Sequence, residues 1–225
     1  GWLNLKTVPD NAYEIQVSAY KWGWTFKYET GAQVGNEVHV PAGRPVKLVM
    51  QSQDVLHSFF VPDYRIKHDV LPNRYTYVWF QAEEPGESQV FCTEYCGTSH
   101  SDMLAKVVVH TEEGFQTWLA EQGTGSGGTP VERGEQLSTL QGCVTCHSVD
   151  GSEKIGPSWA GLYGAERQME DGTSVTADDN YIRESILDPA AKIVEGYQNQ
   201  MVSYEGRLSD DDISDIIEYI KTLEE

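Results

Sequence analysis

The four cysteines stand in two close pairs, Cys92/Cys96 and Cys143/Cys146, and each pair has a histidine within a few residues. In Cys143-Val144-Thr145-Cys146-His147 the histidine follows the second cysteine directly. That spacing offers two thiols for thioether bonds to the vinyl groups of a haem and turns the adjacent imidazole toward its iron. A bare C-x-x-C also serves redox and zinc sites; the histidine beside it selects haem. The sixth iron ligand must come from elsewhere, and methionine suits an electron-transferring haem because it raises the potential. Met169 and Met201 are the two methionines that follow the motif. Met169 sits in a polar stretch, Arg167 to Thr173, that reads as a surface excursion. Met201 stands just ahead of the terminal helix, where a loop can fold over the open haem face, and is the expected axial ligand.

The second constellation, Cys92 to Met103, packs two thiols, an imidazole and a thioether into twelve residues after a predicted strand. One copper ion of the blue type needs one Cys, two His and a weak axial Met, which His57, Cys96, His100 and Met103 could supply alone. The additional Cys92 allows two thiolates to bridge two copper ions, each held by one imidazole, so that an electron is shared with little change in geometry. A tetrahedral Cys2His2 zinc site and a Cys92–Cys96 disulfide are the competing readings of the same residues. His39, His68 and His110 have no soft-ligand neighbours in sequence and read as ordinary strand or surface histidines.

These ligands need two different scaffolds. Ahead of the Gly/Ser-rich stretch 123–130, short β-rich runs alternate with Gly, Pro and Asn, as in Glu14–Tyr20, Pro45–Met50, Tyr75–Phe80 and Leu104–Val109. Such spacing predicts an antiparallel sandwich or barrel, closed by a short helix over about 112–121. Beyond the linker the signals are helical. One helix is expected from Val131 to about Gln141. Another begins after Ser209, a good N-cap, with Asp210, Asp211 and Asp212 at the positive end of the dipole. Its Ile213, Ile216, Ile217, Ile220 and Leu223 recur at helical spacing as one buried stripe. The reading is therefore a domain over 1–122, a linker over 123–130 that spans about 15 Å on average, and a domain over 131–225.

The net charge is −19, with −6 in residues 1–122 and −13 in residues 123–225. An acidic balance argues against nucleic acid and anionic lipid surfaces, both of which need a basic face. No apolar run approaches the roughly 18–20 residues needed to span a bilayer.

Residues 131–225 resemble a class I cytochrome c, with Gly156-Pro157-Ser158-Trp159-Ala160-Gly161-Leu162-Tyr163-Gly164 similar to that family's loop beside the haem. The resemblance implies that Pro157 orients His147; Val202 stands where the family often has Pro. Residues 1–122 resemble the CuA domain of cytochrome c oxidase subunit II, through Lys21-Trp22-Gly23-Trp24-Thr25-Phe26-Lys27-Tyr28, His57-Ser58-Phe59-Phe60-Val61-Pro62, Lys67–Arg74 and the Cys92–Met103 loop. Gly23 stands where that family often has Tyr, and Asn73 where Gly is common.

The second resemblance implies an all-β, cupredoxin-like Greek-key sandwich ahead of the all-α cytochrome domain. Its implied copper ligands are His57, Cys92, Cys96, His100, Met103 and the main-chain carbonyl of Glu94. It also implies a magnesium ion shared with subunit I through the Glu94 carboxylate, and Trp22 as the residue that receives electrons. Together the two resemble subunit II of caa3-type oxidases, where two transmembrane helices precede the copper domain. Gly1 is then expected to follow a missing membrane anchor, on the periplasmic or outer face of a bacterial membrane. The expected role is conduction: from a respiratory donor through haem c and the copper pair to haem a in subunit I, where oxygen is reduced. The alternative is a free soluble carrier with the same two cofactors. Nitrous-oxide reductase, which also uses CuA, would need a large histidine-rich propeller that this sequence does not contain.

Overall fold

The computed structural model describes residues 7–122 and 128–223, and the chain divides into two compact units, Gly1–Ser126 and Gly127–Glu225. Residues 123–127 of the expected linker lie outside the described residues.

The first unit is built from two five-stranded sheets. One contains, in spatial order, β3 (Gln33–Gly35), β2 (Gly23–Lys27), β1 (Tyr13–Tyr20), β5 (Pro45–Ser52) and β8 (Thr76–Gln81). The other contains β4 (Glu37–Pro41), β10 (Leu104–His110), β9 (Gly86–Cys92), β6 (His57–Val61) and β7 (Ile66–Val70). Period-two alternation puts Tyr13, Ile15, Val17 and Ala19 of β1 and Val46, Leu48 and Met50 of β5 inward. Trp24 and Phe26 from one sheet meet Phe59 from the other edge-on, with centroids 5.2 and 6.4 Å apart. Each such buried side chain contributes about 1.5–3 kcal/mol by leaving water. The helix α1 (Glu112–Gln122) buries Phe115 and Leu119.

Two strand pairs depart from the antiparallel expectation: β1 with β5, and β4 with β10, run parallel. Both join strands far apart in sequence, so no hairpin dictates their direction. The chain reaches β5 by crossing into the second sheet at β4, through Asn36 at φ 56°. Asn73 is left-handed too, at φ 57°, a conformation that Asn tolerates better than most side chains. This accounts for Asn where the resembled family has Gly.

The second unit consists of α2 (Pro130–Leu140), the single turn α3 (Cys143–Cys146), a small hairpin of β11 (Glu166–Gln168) and β12 (Ser174–Thr176), α4 (Asp179–Leu187) and α5 (Asp210–Lys221). Thr129 with Glu132 and Ser209 with Asp212 form reciprocal capping boxes, which satisfy orphan N–H groups at each helix start. Ile213, Ile216, Ile217 and Ile220 are all buried, as the stripe predicts, whereas Leu223 lies past the helix end and is only partly buried. Helices α2 and α5 meet at Gly134, where a Cβ would lie 2.0 Å from the Asp215 carbonyl oxygen. Beside that contact the Arg133 guanidinium donates two bonds of 2.7 Å to the Asp215 carboxylate. The hairpin corrects one expectation in part: Arg167–Thr173 is largely exposed, as a surface excursion would be, but Met169 turns inward from it. Met169 is only 3% exposed and belongs to the core, its N–H donating to the Thr173 carbonyl at 2.8 Å.

Candidate metal centres

In the first unit the candidate ligands are set by strand ends. β6 opens on His57, and β9 closes on Cys92. These two strands pair antiparallel with Phe59 opposite Cys92, and the Thr93 N–H donates to the Ser58 carbonyl at 3.0 Å. The loop then returns to β10, with the Cys92 N–H bound to the Met103 carbonyl at 3.2 Å. This arrangement brings every sequence-predicted donor to one place. The Cys92 and Cys96 sulfurs lie 3.9 Å apart, and both cysteines are free thiols. The Cys92 sulfur lies 3.9 Å from His57 Nδ1 and 3.4 Å from the Glu94 carbonyl oxygen. The Cys96 sulfur lies 3.4 Å from His100 Nδ1 and 3.8 Å from Met103 Sδ. His57, Cys92, Cys96 and Met103 are all buried.

The electrostatics of the two thiols diverge. Burial pushes Cys92 up, but the His57 contact and the Ser58 and Glu94 backbone bring it down to about 6. Cys96 is pushed up to about 12 by burial and then by the charge of Cys92. Two adjacent buried thiolates therefore require a cation between them. His57 is held above its ordinary value: burial works downward, and the Asp54 and Cys92 contacts outweigh it. Asp54, which the sequence reading missed, fixes the far nitrogen of His57 with a 2.8 Å bond to Nε2. It also accepts N–H bonds from Lys21 at 2.7 Å and Val55 at 2.6 Å. Its signal was available as an acid three residues before a ligand histidine, the usual way a second nitrogen is oriented.

Two thiols, two imidazoles, a thioether and a carbonyl form a six-donor set whose three sulfurs are soft. Structural zinc uses four ligands, normally without thioether or carbonyl, whereas thiolate, thioether and imidazole together suit copper. The residues fit a dinuclear copper centre. Trp22 is 7% exposed, and its indole edge lies against Gly97 of the same loop, where a Cβ would meet Trp22 Cζ2 at 3.1 Å. Glu94 and Tyr95 are exposed on the loop's outer side. His68 stands apart on β7, while His39 and His110 bond to each other at 2.8 Å beneath α1.

In the second unit, α3 carries Cys143 and Cys146, and its chain leaves extended at His147. His147 Nδ1 donates to the Pro157 carbonyl at 2.7 Å, leaving Nε2 for an iron. The ring stacks on Trp159 with centroids 5.2 Å apart. Gly156 is required by this packing, since a Cβ there would lie 2.6 Å from His147 Cε1. Burial lowers the His147 pKa, with the Pro157 bond acting against it, so the imidazole stays neutral and able to ligate. Burial also raises both thiols, Cys143 to about 12. Met201 is half-buried and packs on the helical core. Its loop is fastened by the Tyr204 hydroxyl, which donates to the Gln141 carbonyl at 2.7 Å, immediately before α3. These residues fit a covalently attached haem.

Residues 12–111 match the family profile described as cytochrome c oxidase subunit II, periplasmic domain, and residues 131–224 match that of cytochrome c. Cytochrome c oxidase subunit 2 of Alkalihalophilus pseudofirmus is 31% identical over 224 residues, covering 96% of this chain and 63% of its own length. Alternative cytochrome c oxidase subunit 2 of Bradyrhizobium diazoefficiens is 31% identical over 157 residues, covering 56% of this chain and 57% of its own length. The chain thus spans less than two thirds of either relative. Among solved structures, the periplasmic domain of subunit II of the cytochrome oxidase of Bradyrhizobium japonicum superposes with a TM-score of 0.50 and 25% identity, covering 52% of this chain and 96% of that one. The first unit has the cupredoxin-like sandwich of that domain. The chain thus carries a region that matches the periplasmic domain of cytochrome c oxidase subunit II and, behind it, a region that matches cytochrome c.

Proposed function

We propose that this chain receives electrons for a terminal haem–copper oxidase, passing them from a respiratory donor through haem c and a dinuclear copper centre to haem a of subunit I. Cys143 and Cys146 would hold the haem by thioether bonds, and His147 and Met201 would ligate its iron. His57, Cys92, Cys96, His100, Met103 and the Glu94 carbonyl hold the copper. When bound, the two groups supply reversible one-electron redox chemistry; this chain's residues set their surroundings. Asp54 and Pro157 each fix the far nitrogen of a ligand histidine, which settles its tautomer and ring orientation. Burial of the thiols and of Met103 excludes water. The Trp22 indole against Gly97 supports Trp22 as the residue that receives electrons, and the exposed Glu94 carboxylate is free to share a magnesium ion with subunit I. In the assembled oxidase the chain faces the periplasm or the outside of the cell; among the described residues no helix is long and apolar enough to cross a membrane.

The observation that carries this reading is the convergence of two imidazoles, a thioether and a main-chain carbonyl on two thiols 3.9 Å apart, in a chain that also carries C-x-x-C-H. The chain matured with haem attachment and copper loading is expected to contain one covalent haem and two copper ions. A site that takes zinc and refuses copper would overturn the copper half. Isolated from native membranes, the chain is expected to accompany a subunit bearing haem a; recovery only as a lone soluble protein would favour the free carrier.

A further inference from the structure

His39 and His110 stand 71 residues apart in sequence, and the parallel pairing of β4 with β10 brings them together. His39 lies opposite Val108, so His110, two residues further along β10, projects from the same face of the sheet. His39 Nδ1 and His110 Nε2 are 2.8 Å apart, with an angle of 19° between the ring planes. Trp118 of α1 stacks on His39 with centroids 4.1 Å apart and covers one face of the pair. Neither ring belongs to the copper loop or to the haem motif.

The surroundings leave these two nitrogens to each other. The Tyr28 hydroxyl is occupied by the His39 main chain: it donates to the carbonyl at 3.1 Å and accepts from the N–H at 2.7 Å. The Glu37 carboxylate lies 3.6 Å from His39 Nε2. His39 thus repeats the layout of His57, whose Nε2 is held by Asp54 at 2.8 Å while its Nδ1 faces a thiol. An acid behind one ring nitrogen is the common support of a metal-binding histidine. Burial lowers the pKa of both rings, and the neighbouring His110 lowers that of His39 further. Both are neutral at neutral pH, so a metal ion meets little competition from protons. Moving the His110 proton to Nδ1 exposes both facing lone pairs without loss of a proton.

Two nitrogens 2.8 Å apart, each about 2.0–2.1 Å from one ion, subtend roughly 85° at it. That is the cis angle of a tetragonal site, the geometry of Cu²⁺ and Ni²⁺, and it falls well short of the tetrahedral angle of zinc. Small ring rotations would turn both lone pairs to such an ion, with water completing its shell. Because the pair brings no sulfur, it suits an oxidised, divalent ion, whereas thiolate and thioether also welcome the softer Cu⁺.

We propose that His39 and His110 form a second metal site, which takes one divalent ion of the Cu²⁺ or Ni²⁺ type and ties β4 to β10 beneath α1. Glu37 is a positioning residue that orients His39 through its Nε2–H. The proposal rests on neither the haem nor the copper reading above.

The test is a titration of the matured, copper-loaded chain with Cu²⁺, followed by electron paramagnetic resonance. One further copper per chain is expected, with the hyperfine pattern of an electron localised on one nucleus and additional splitting from two imidazole nitrogens. The signal of the thiol-bound copper should not change. His39→Gln and His110→Gln are each expected to abolish the new signal, and His68→Gln, on β7, to leave it whole. Glu37→Gln should keep the spectrum and weaken binding by about 10–100-fold. Copper that stays in solution, or that binds the His39 and His110 variants as it binds wild type, would overturn the proposal and leave the two rings a hydrogen-bonded pair only. Should those variants fail to fold, Ni²⁺ added to the reduced wild-type chain decides by nuclear magnetic resonance. Its paramagnetism is expected to broaden the signals of His39, Val108, His110 and Trp118 before all others, and broadening centred elsewhere would sink the idea.

Discussion

At the scale of single residues, Cys92 is the one whose presence would turn a one-copper site into a two-copper site. His57, Cys96, His100 and Met103 would survive its loss as a set resembling a blue copper site. Cys92→Ser is therefore expected to abolish the signal of an electron shared over two nuclei. Electron paramagnetic resonance reads the change directly, because sharing splits the signal into more hyperfine lines. A spectrum unchanged in the variant would exclude Cys92 as a ligand. The two methionines of the second unit are separated in the same way. Met169 is a core residue, so Met169→Ala should destabilise the unit by about 2–5 kcal/mol and leave the haem potential in place. Met201→Ala should remove the methionine-to-iron absorption band and lower the potential, with a smaller effect on stability because Met201 is already half-buried. Reversed outcomes would move the axial ligand to Met169.

At the scale of elements, legibility followed how local the determinants are. Helix α5 could be read because its cap, its acidic first turn and its isoleucine stripe all lie within one window. The copper loop could be read because Cys92, Cys96, His100 and Met103 fall within twelve residues, while the Glu94 carbonyl was supplied by the family resemblance alone. The parallel pairing of β1 with β5 could not, since a crossing between sheets sets it. The inward turn of Met169 was hidden because the hairpin strands are three residues long, too short for alternation to show, and their neighbours are polar. The Gly134 contact was also invisible: glycine within a predicted helix reads as a weakness until its partner helix is known. Gly134→Ala should raise helix propensity, yet the crossing leaves no room for the methyl group. The expected result is a net loss of roughly 1–3 kcal/mol, seen as a lower melting temperature of the haem-loaded unit; a stabilised variant would show that the helices part easily.

The seat of α1 should respond to pH. Trp118 of that helix stacks on His39 with centroids 4.1 Å apart, and His39 bonds to His110. Burial, then the neighbouring His110, lowers the His39 pKa to about 4, although the Glu37 carboxylate lies 3.6 Å from its Nε2; burial also lowers His110. A histidine depressed in the folded state favours the neutral form, so its stabilisation is complete above the unfolded value near 6.5. It declines as pH falls toward about 4. Melting of the copper domain should therefore drop over that interval, and His39→Gln should flatten the drop. An unaltered slope in the variant would place the acid sensitivity elsewhere.

For the whole molecule, the proposed function would make electron supply to the copper centre a tethered event rather than a bimolecular encounter. Thr129 and Pro130 of the expected linker already cap and open α2; residues 123–127, Gly-Thr-Gly-Ser-Gly, keep the composition of a flexible linker, and short flexible linkers give effective concentrations on the order of millimolar. Even weak encounters between haem and copper domains would then be populated without help from a third protein. Long-range attraction is an unpromising driver, because the two parts of the chain carry −6 and −13, and like charges slow association at low salt. Transfer from haem to copper is therefore expected to be intramolecular, with salt weakening a repulsion rather than breaking an attraction. Flash reduction of the matured chain tests this through three dependences. The rate of the haem-to-copper step should be independent of protein concentration and should hold or rise modestly with ionic strength. It should also fall in Trp22→Phe while both metal spectra stay intact, since the Trp22 edge touches the copper loop at Gly97. A rate proportional to protein concentration would show that one molecule's haem serves another's copper. A steep loss of rate with salt would point instead to an electrostatic contact between oppositely charged patches, which the acidic balance of both parts argues against.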